Sequence, residues 1–449
     1  MSNASPTPPP EASSDNPAKK HRSARSDYRS RSHDSAHTDS AGGANHPQPP
    51  EHPLIPRGEA DMIDSSASLR DLVAHLKSAG RFAYDSEFIG ELTYIPKLCL
   101  IQVASADKVA LIDPLAKFDL TPFWALLCDP SIEKIVHAGP QDLEPVFRHM
   151  NRPPANIFDT QIAAGFIGMS YPASLGKLVR EITGVPLGKG LTFTHWDQRP
   201  LSPMQLRYAA DDVRYLIAVR EEIGLRLAAL GHTAWAAAEC QTLCDPLEYQ
   251  FDPDHQYRRV RGATSLNPAG LAALRELVIW RDTCARAHDV PPRSFLRDEI
   301  LIDLARSPVK SVDKLARVKG LPRPVEAAHG SEIVEAISRA AAIPQADLPQ
   351  TKQREETPTE KFRADALWCA TESLCFGRGI DPSLIANRSE IGQLHRHLAY
   401  GEDASDVRML KGWRREAIGE PLLALVREDA SIAMQWQEGS LQVTAQMTK

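Results

Sequence analysis

The chain has 449 residues, 42% hydrophobic and 24% charged, with a formal net charge of −6. That length supports two or three domains, each with its own core, and the mild acidity excludes a whole-surface attraction to nucleic acid, so any basic surface has to be local. No run of about eighteen apolar residues occurs and the N-terminus has no apolar signal core, so neither a membrane-spanning helix nor a targeting segment is expected.

Residues 1 to 60 are rich in Pro, Ser, His and Arg and nearly devoid of aliphatic side chains. They cannot bury enough apolar surface to offset chain entropy, and a disordered tail is expected. Its basic cluster (Lys19, Lys20, Arg22, Arg25, Arg29, Arg31) fits either an RNA contact or a solvated tail. Order is expected from Asp61. Ser65 or Ser66 caps a helix with the apolar stripe Leu69, Leu72, Val73 and Leu76, ending at Gly80. Arg81 to Phe88 reads as a strand, followed after Pro96 by strands at Leu98–Ala104 and Lys108–Ile112. Their short connection implies antiparallel pairing. A helix near Pro122–Leu127 and a strand at Lys134–His137 come next. Helices are then expected over about 141–150, 159–168, 174–183 and 203–230, completing an α/β domain of roughly 170 residues. The seven cysteines are scattered, with only Cys240 and Cys244 close together. No second pair at zinc spacing accompanies them, which points to reduced thiols in a cytoplasmic protein.

Three carboxylate signals lie in this region. On the first strand, alternation puts Asp85 and Glu87 on one face and Ser86 on the other. Two like charges on an apolar strand repel each other and resist desolvation, which a divalent cation would relieve. Alone, the pair is better read as a half-exposed edge strand whose acids face water. Asp142 falls in the first turn of a helix, where the macrodipole favours a carboxylate; Asp159 reads as a helix cap. Tyr208 and Asp212 are one turn apart on a helix opened by Ser202 and Pro203. Asp211 sits between Arg207 and Arg214 on a solvated stripe. Asp212 neighbours Ala209, Val213 and Leu216 on the inward side, so Asp212 is the functional candidate.

Asp85-x-Glu87, then Asp142, then Tyr208-x-x-x-Asp212 resembles the three motifs of the tyrosine-bearing branch of the DEDD exonucleases. The segments Thr93 to Gln102, His137 to Leu143, Phe158 to Gln161 and Arg199 to Val213 are similar to the ribonuclease D family, over roughly residues 61 to 440. The resemblance implies a ribonuclease H-like mixed-sheet α/β exonuclease domain followed by all-α HRDC-like helical domains. It also implies removal of 5′-mononucleotides from RNA 3′ ends, tRNA precursors among them. By this analogy Asp85 bridges two divalent ions, magnesium or manganese, and Glu87 and Asp212 ligate the water-activating one. Asp142 holds the second, and Tyr208 orients the water. One departure is His195 before Trp196, which affects the contacts around Lys189 to Arg199; those two basic residues fit substrate phosphates or surface ion pairs. A DNA 3′–5′ exonuclease would use the same carboxylates. A non-catalytic RNA-binding scaffold would not need them.

Beyond the catalytic domain (61–235), a linker is expected over 236–264 and an HRDC domain over 265–343. It would contain the amphipathic Leu271–Arg281 helix and the family-like segments Arg286–Arg293 and Arg317–Leu321. Between 256 and 325 basic residues outnumber acidic ones about two to one, which fits a phosphate-binding footprint or a solvated surface. A second linker (344–357) leads to a second HRDC-like domain (358–440), where Leu410 to Gly419 resembles the family's end; its basic signal is weaker, and packing back on the catalytic domain is an equally good role for it. Every candidate ligand lies before residue 236, so a fragment ending before Leu266 is expected to trim short RNA if it folds.

Overall fold

The structure, a computed structural model, describes residues 49–90, 92–188, 195–349, 356–427, 430–438 and 440–447. Most of the expected N-terminal tail, with its basic cluster, and Lys189 lie outside the described residues. Order begins earlier than expected. Ile55 is buried, and the buried Arg214 donates to the Pro56 and Gly58 carbonyls at 2.5 and 3.1 Å. A buried guanidinium needs such acceptors, and they pin the segment ahead of Asp61.

The catalytic unit is a six-stranded mixed sheet with the order β1-β4-β3-β2-β5-β6. Its strands are β1 (Asp61–Ile63), β2 (Arg81–Ile89), β3 (Lys97–Ala104), β4 (Val109–Ile112), β5 (Glu133–Val136) and β6 (Ile157–Asp159). The β2–β3 and β3–β4 pairs are antiparallel; β1–β4, β2–β5 and β5–β6 are parallel. Helix α1 (Ser66–Ala79) starts at Ser65, whose hydroxyl accepts from the Ser68 amide, and stops at Gly80 with φ 70°. Its buried stripe is the one expected. Helices α2 (Thr121–Leu127), α3 (Pro140–Met150), α4 (Thr160–Ala164), α5 (Leu175–Thr183), α6 (Pro203–Arg214), α7 (Leu216–Leu230) and α8 (Thr233–Gln241) complete the unit. The helix expected over 203–230 is broken at Tyr215. Before the break Ala210 and Val213 pack on the sheet residues Ala83, Ala104 and Ile135; after it Val219 and Ile223 join the core on α4 and α5. The break lets one chain serve two packing surfaces.

Residues 236–264, expected as a linker, carry three short 3₁₀ turns and helix α9 (Pro253–Arg259). Tyr257 and Val260 are buried in the helical unit that follows, so this stretch is fixed by packing. That unit comprises α10 (Pro268–Ala287), α11 (Pro292–Phe295), α12 (Asp298–Arg306) and α13 (Arg323–Ala341) around its own core of Leu274, Leu277, Leu301 and Ile333. The chain then forms α14 (Pro358–Arg378), α15 (Pro382–Ile385), α16 (Arg388–Tyr400), α17 (Gly412–Arg414) and α18 (Glu420–Val426). It ends in an antiparallel hairpin of β7 (Ala430–Gln437) and β8 (Ser440–Met447), which was not expected from the all-helical reading. Leu374, Ile385, Ile391, Met409 and Leu422 of this last region are buried in the same core as Phe82, Tyr84 and Phe123 of the sheet. Among the described residues no helix is long and apolar enough to cross a membrane.

Candidate active site

Strand β2 lies inside the sheet, between β3 and β5, and delivers Asp85 and Glu87 from one face. The β2–β3 register shifts between Glu87 and Phe88, which re-aims the strand end next to the two acids. Asp142 arrives from the end of the neighbouring interior strand β5 by a different device. The chain leaves β5 through Ala138 (φ 59°) and Gly139, whose amides donate to the buried Asp159 carboxylate at 3.2 and 3.0 Å. Gly139 is required there, because a Cβ would stand 2.6 Å from Val136 Cγ2. Tyr84 Oη donates to the Asp142 carbonyl (2.6 Å) and Ser86 Oγ to Asp142 Oδ1 (2.5 Å). The residues flanking Asp85 therefore fix the third carboxylate. Asp159 caps α4, accepting from the Gln161 and Ile162 amides, and thus anchors the turn that presents Asp142.

Helix α6 crosses the β2–β3–β4 surface and opens with a reciprocal cap between Ser202 and Gln205. Tyr208 and Asp212 share its inward side, while Asp211 accepts from Arg214 Nε at 3.1 Å. Trp196, buried ahead of the helix, packs on Tyr208 with ring centroids 6.1 Å apart. His195 beside it is exposed. Arg199 is not placed to bind phosphate. Its Nε and Nη2 grip Asp113 at 2.6 and 2.7 Å, and it also donates to the Cys99, Trp196 and Gln198 carbonyls.

The electrostatics join these residues into one site. Desolvation, then Asp142, Asp212 and Glu87, pushes Asp85 well above the usual carboxylate range. Asp212 is raised in the same way by desolvation, Glu87 and Asp211, with the Tyr208 hydroxyl opposing. Desolvation and Asp142 lift Glu87 to about 7. Asp142 is lifted to about 7 by burial, against the Ser86 hydrogen bond. Asp142 is buried, while Asp85, Glu87 and Asp212 keep some surface open to a substrate. Among the described residues none of the four takes part in an ion pair with Lys or Arg. Four mutually repelling oxygen donors without a neutralising side chain suit hard divalent cations. Tyr208 is pushed upward by desolvation, Asp212, Glu87 and Asp85, so it stays a phenol at neutral pH.

Sequence reasoning placed Ser86 away from the site and missed its bond to Asp142, as well as Tyr84, Gly139 and Trp196. The signal was present for Gly139, a glycine between a strand and a helix start.

Comparison with known proteins agrees with this geometry. The 3′–5′ exonuclease family model matches residues 60–228, and the HRDC domain model matches residues 270–337. Ribonuclease D of Gluconacetobacter diazotrophicus is 35% identical over 81% of this chain and 92% of its own length. That of Pseudomonas paraeruginosa is 35% identical over 81% of this chain and 97% of its own. The crystal structure of Escherichia coli RNase D, described as an exoribonuclease involved in structured RNA processing, superposes with a TM-score of 0.71 at 31% identity. It covers 83% of this chain and 99% of the other. The chain belongs to the ribonuclease D family and is a 3′–5′ exoribonuclease.

Proposed function

We infer that Asp85, Glu87, Asp142 and Asp212 hold two divalent cations, magnesium or manganese, and that the enzyme releases 5′-mononucleotides from RNA 3′ ends, tRNA precursors among them. The observation that carries this reading is the set of four converging carboxylates, each raised first by burial, with repulsion from others of the set adding to Asp85, Glu87 and Asp212, and none paired with a basic side chain among the described residues. Bound there, the cations would supply charge neutralisation at the scissile phosphate and a water of lowered pKa. The chain supplies the rest. Ser86 and Tyr84 fix Asp142 before substrate arrives, so the carboxylates need little reorganisation. Tyr208, a phenol at working pH and backed by Trp196, orients the incoming water by hydrogen bonding rather than by taking its proton.

The domain division we adopt is catalysis in 61–235, RNA held by 265–343, and a second HRDC-like helical region, 358–440, that packs back on the catalytic sheet. A cleft of about 590 Å³ supports this path. Phe88, Gln141 and Glu144, neighbours of the candidate ligands, line it together with Tyr94, Arg281 and Asp282. The HRDC unit and the stretch leading into it expose Arg259, Arg261, Arg297, Lys314, Arg317 and Lys319, none of them in an ion pair among the described residues. Such a surface neutralises phosphates and makes binding salt-dependent. The test is end-labelled RNA and DNA of one sequence, plus a tRNA precursor, each with magnesium, manganese or chelator. Stepwise shortening of RNA that requires the metal supports the reading, equal shortening of DNA favours the DNA exonuclease, and metal-independent shortening contradicts it.

A further inference from the structure

The HRDC unit contains a cluster that the exonuclease chemistry does not use. On α10, Cys284 is buried and faces α13, where His329 and Glu332 are three residues apart on one face. Cys284 Sγ lies 3.9 Å from His329 Nδ1 and 3.7 Å from Glu332 Oε2, and the latter two atoms are 3.1 Å apart. Among the described residues this is the group of three metal-ligating side chains whose donor atoms converge within 4.8 Å. Trp280 Nε1 donates to the same Glu332 oxygen at 2.9 Å.

We propose that Cys284, His329 and Glu332 form a binding site for zinc or another borderline divalent cation, clamping α10 to α13. The triangle of donor atoms carries the argument. Its circumradius is about 2.1 Å, so a point about 0.7 Å out of its plane is about 2.2 Å from every donor, which matches zinc bond lengths and the offset of a tetrahedral ion from three ligands. As hydrogen bonds, by contrast, the two contacts to sulfur are long, so the thiol gains little from the cluster without an ion. The donor chemistry also discriminates. A thiolate, an imidazole and a carboxylate select zinc over magnesium, whereas the all-oxygen set around Asp85 does the reverse. Trp280 acts as an outer partner that orients the ligating carboxylate. The fourth position is left for water or for His288, one turn after Cys284, whose exposed ring lies 5.7 Å from that of His329.

The location gives the site a consequence. Helix α10 also carries Asp282, Arg286 and, just past its end, Asp289, which hold Tyr94 of the catalytic unit. An ion tying α10 to α13 therefore stiffens the element on which that contact rests.

The test uses the metal-stripped full chain titrated with cobalt(II). A thiolate-to-cobalt charge-transfer band with tetrahedral visible bands should saturate near one equivalent and be displaced by zinc. It should survive in Asp85→Asn, because the catalytic carboxylates offer no sulfur. It should vanish in Cys284→Ser, and Glu332→Gln should weaken cobalt binding about tenfold or more. Absence of the band from the unsubstituted chain overturns the proposal, and so does its persistence in Cys284→Ser, which would assign it to another cysteine. Should Cys284→Ser fail to fold, the half-exposed Glu332 decides: unchanged cobalt affinity in a folded Glu332→Gln overturns the site.

Discussion

The two helical regions downstream of the catalytic sheet are attached in opposite ways. The HRDC unit closes its own apolar core and meets the catalytic unit through polar contacts. Tyr94 donates to Asp282 at 2.7 Å, its amide donates to Asp289 at 3.1 Å, and Arg286 lies over its ring. The final region has no core of its own that excludes the sheet. Phe166 packs on Trp413 with ring centroids 4.7 Å apart and the planes tilted by 58°, and Glu239 binds both Trp413 and Arg414. Gly165 lets Leu384 approach so closely that a Cβ would stand 2.6 Å from its Cδ1. The first attachment can open while both units stay folded; the second cannot. One region is thus suited to holding RNA, and the other completes the catalytic fold.

The largest expected effect follows from cutting the chain. A fragment ending between residue 236 and Leu266 removes the cover of Leu374, Ile385, Met409 and Leu422 from the shared core. It should be insoluble or lack a cooperative thermal transition, contrary to what the position of the ligands alone suggests. Excising residues 253–349, which removes α9 together with the core it packs on, with a short flexible replacement should leave a folded, metal-dependent trimmer of short single-stranded RNA. A cooperative transition in the short fragment would show that the final region is dispensable.

Point substitutions sharpen the same contrast. Leu384→Ala and Leu301→Ala each empty a fully packed site and should each cost about 2–5 kcal/mol. Leu384→Ala should lower the transition that carries catalytic activity. Leu301→Ala should melt the HRDC unit early while activity on short RNA persists. Calorimetry with activity assays along the ramp distinguishes the two.

Charge gives a third difference, because the catalytic unit alone carries the four strained carboxylates. Folding lifts Glu87 and Asp142 to about 7, above the unfolded value of about 4. Between those values the folded state holds more protons, so stability in chelator should fall as pH rises from about 4 to 7 and stay low above that. Asp142→Asn should therefore raise metal-free stability at pH 8 by up to about 4 kcal/mol and change it far less at pH 4.5, while abolishing activity. Equal effects at both pH values would contradict the repulsion.

The smallest effect is expected at the polar contact. Tyr94→Phe removes one hydrogen bond to Asp282, worth about 1 kcal/mol. It should raise the KM for structured RNA with little change for a short oligonucleotide. Equal changes for both would place Tyr94 in the chemistry.

Local rules made much of this legible before the fold was known. Period-two alternation put Asp85 and Glu87 together, helical spacing put Asp212 rather than Asp211 beside Tyr208, the caps at Ser65 and Ser202 follow from side-chain chemistry, and that at Gly80 from its left-handed backbone. Strands β1 and β6 were not legible, because three residues carry no periodicity. The bond from Ser86 to Asp142 joins elements 56 residues apart, and only the sheet brings them together. Sharing of the core by the final region is likewise a tertiary fact. The hairpin left a signal, the alternation of Ile432, Met434 and Trp436, which the helical resemblance of the preceding segment outweighed.

The most direct test of the account is Asp85→Asn, assayed on end-labelled RNA with magnesium while binding is measured in parallel with calcium. Asp85 is charge-coupled to Glu87, Asp142 and Asp212, yet it contributes nothing to the basic surface of the HRDC unit. Hydrolysis should fall below detection while RNA affinity and its salt dependence stay at the unsubstituted level. Near-normal turnover by a folded Asp85→Asn would contradict the assignment of the carboxylate site. Loss of RNA affinity would contradict the separation of catalysis from holding.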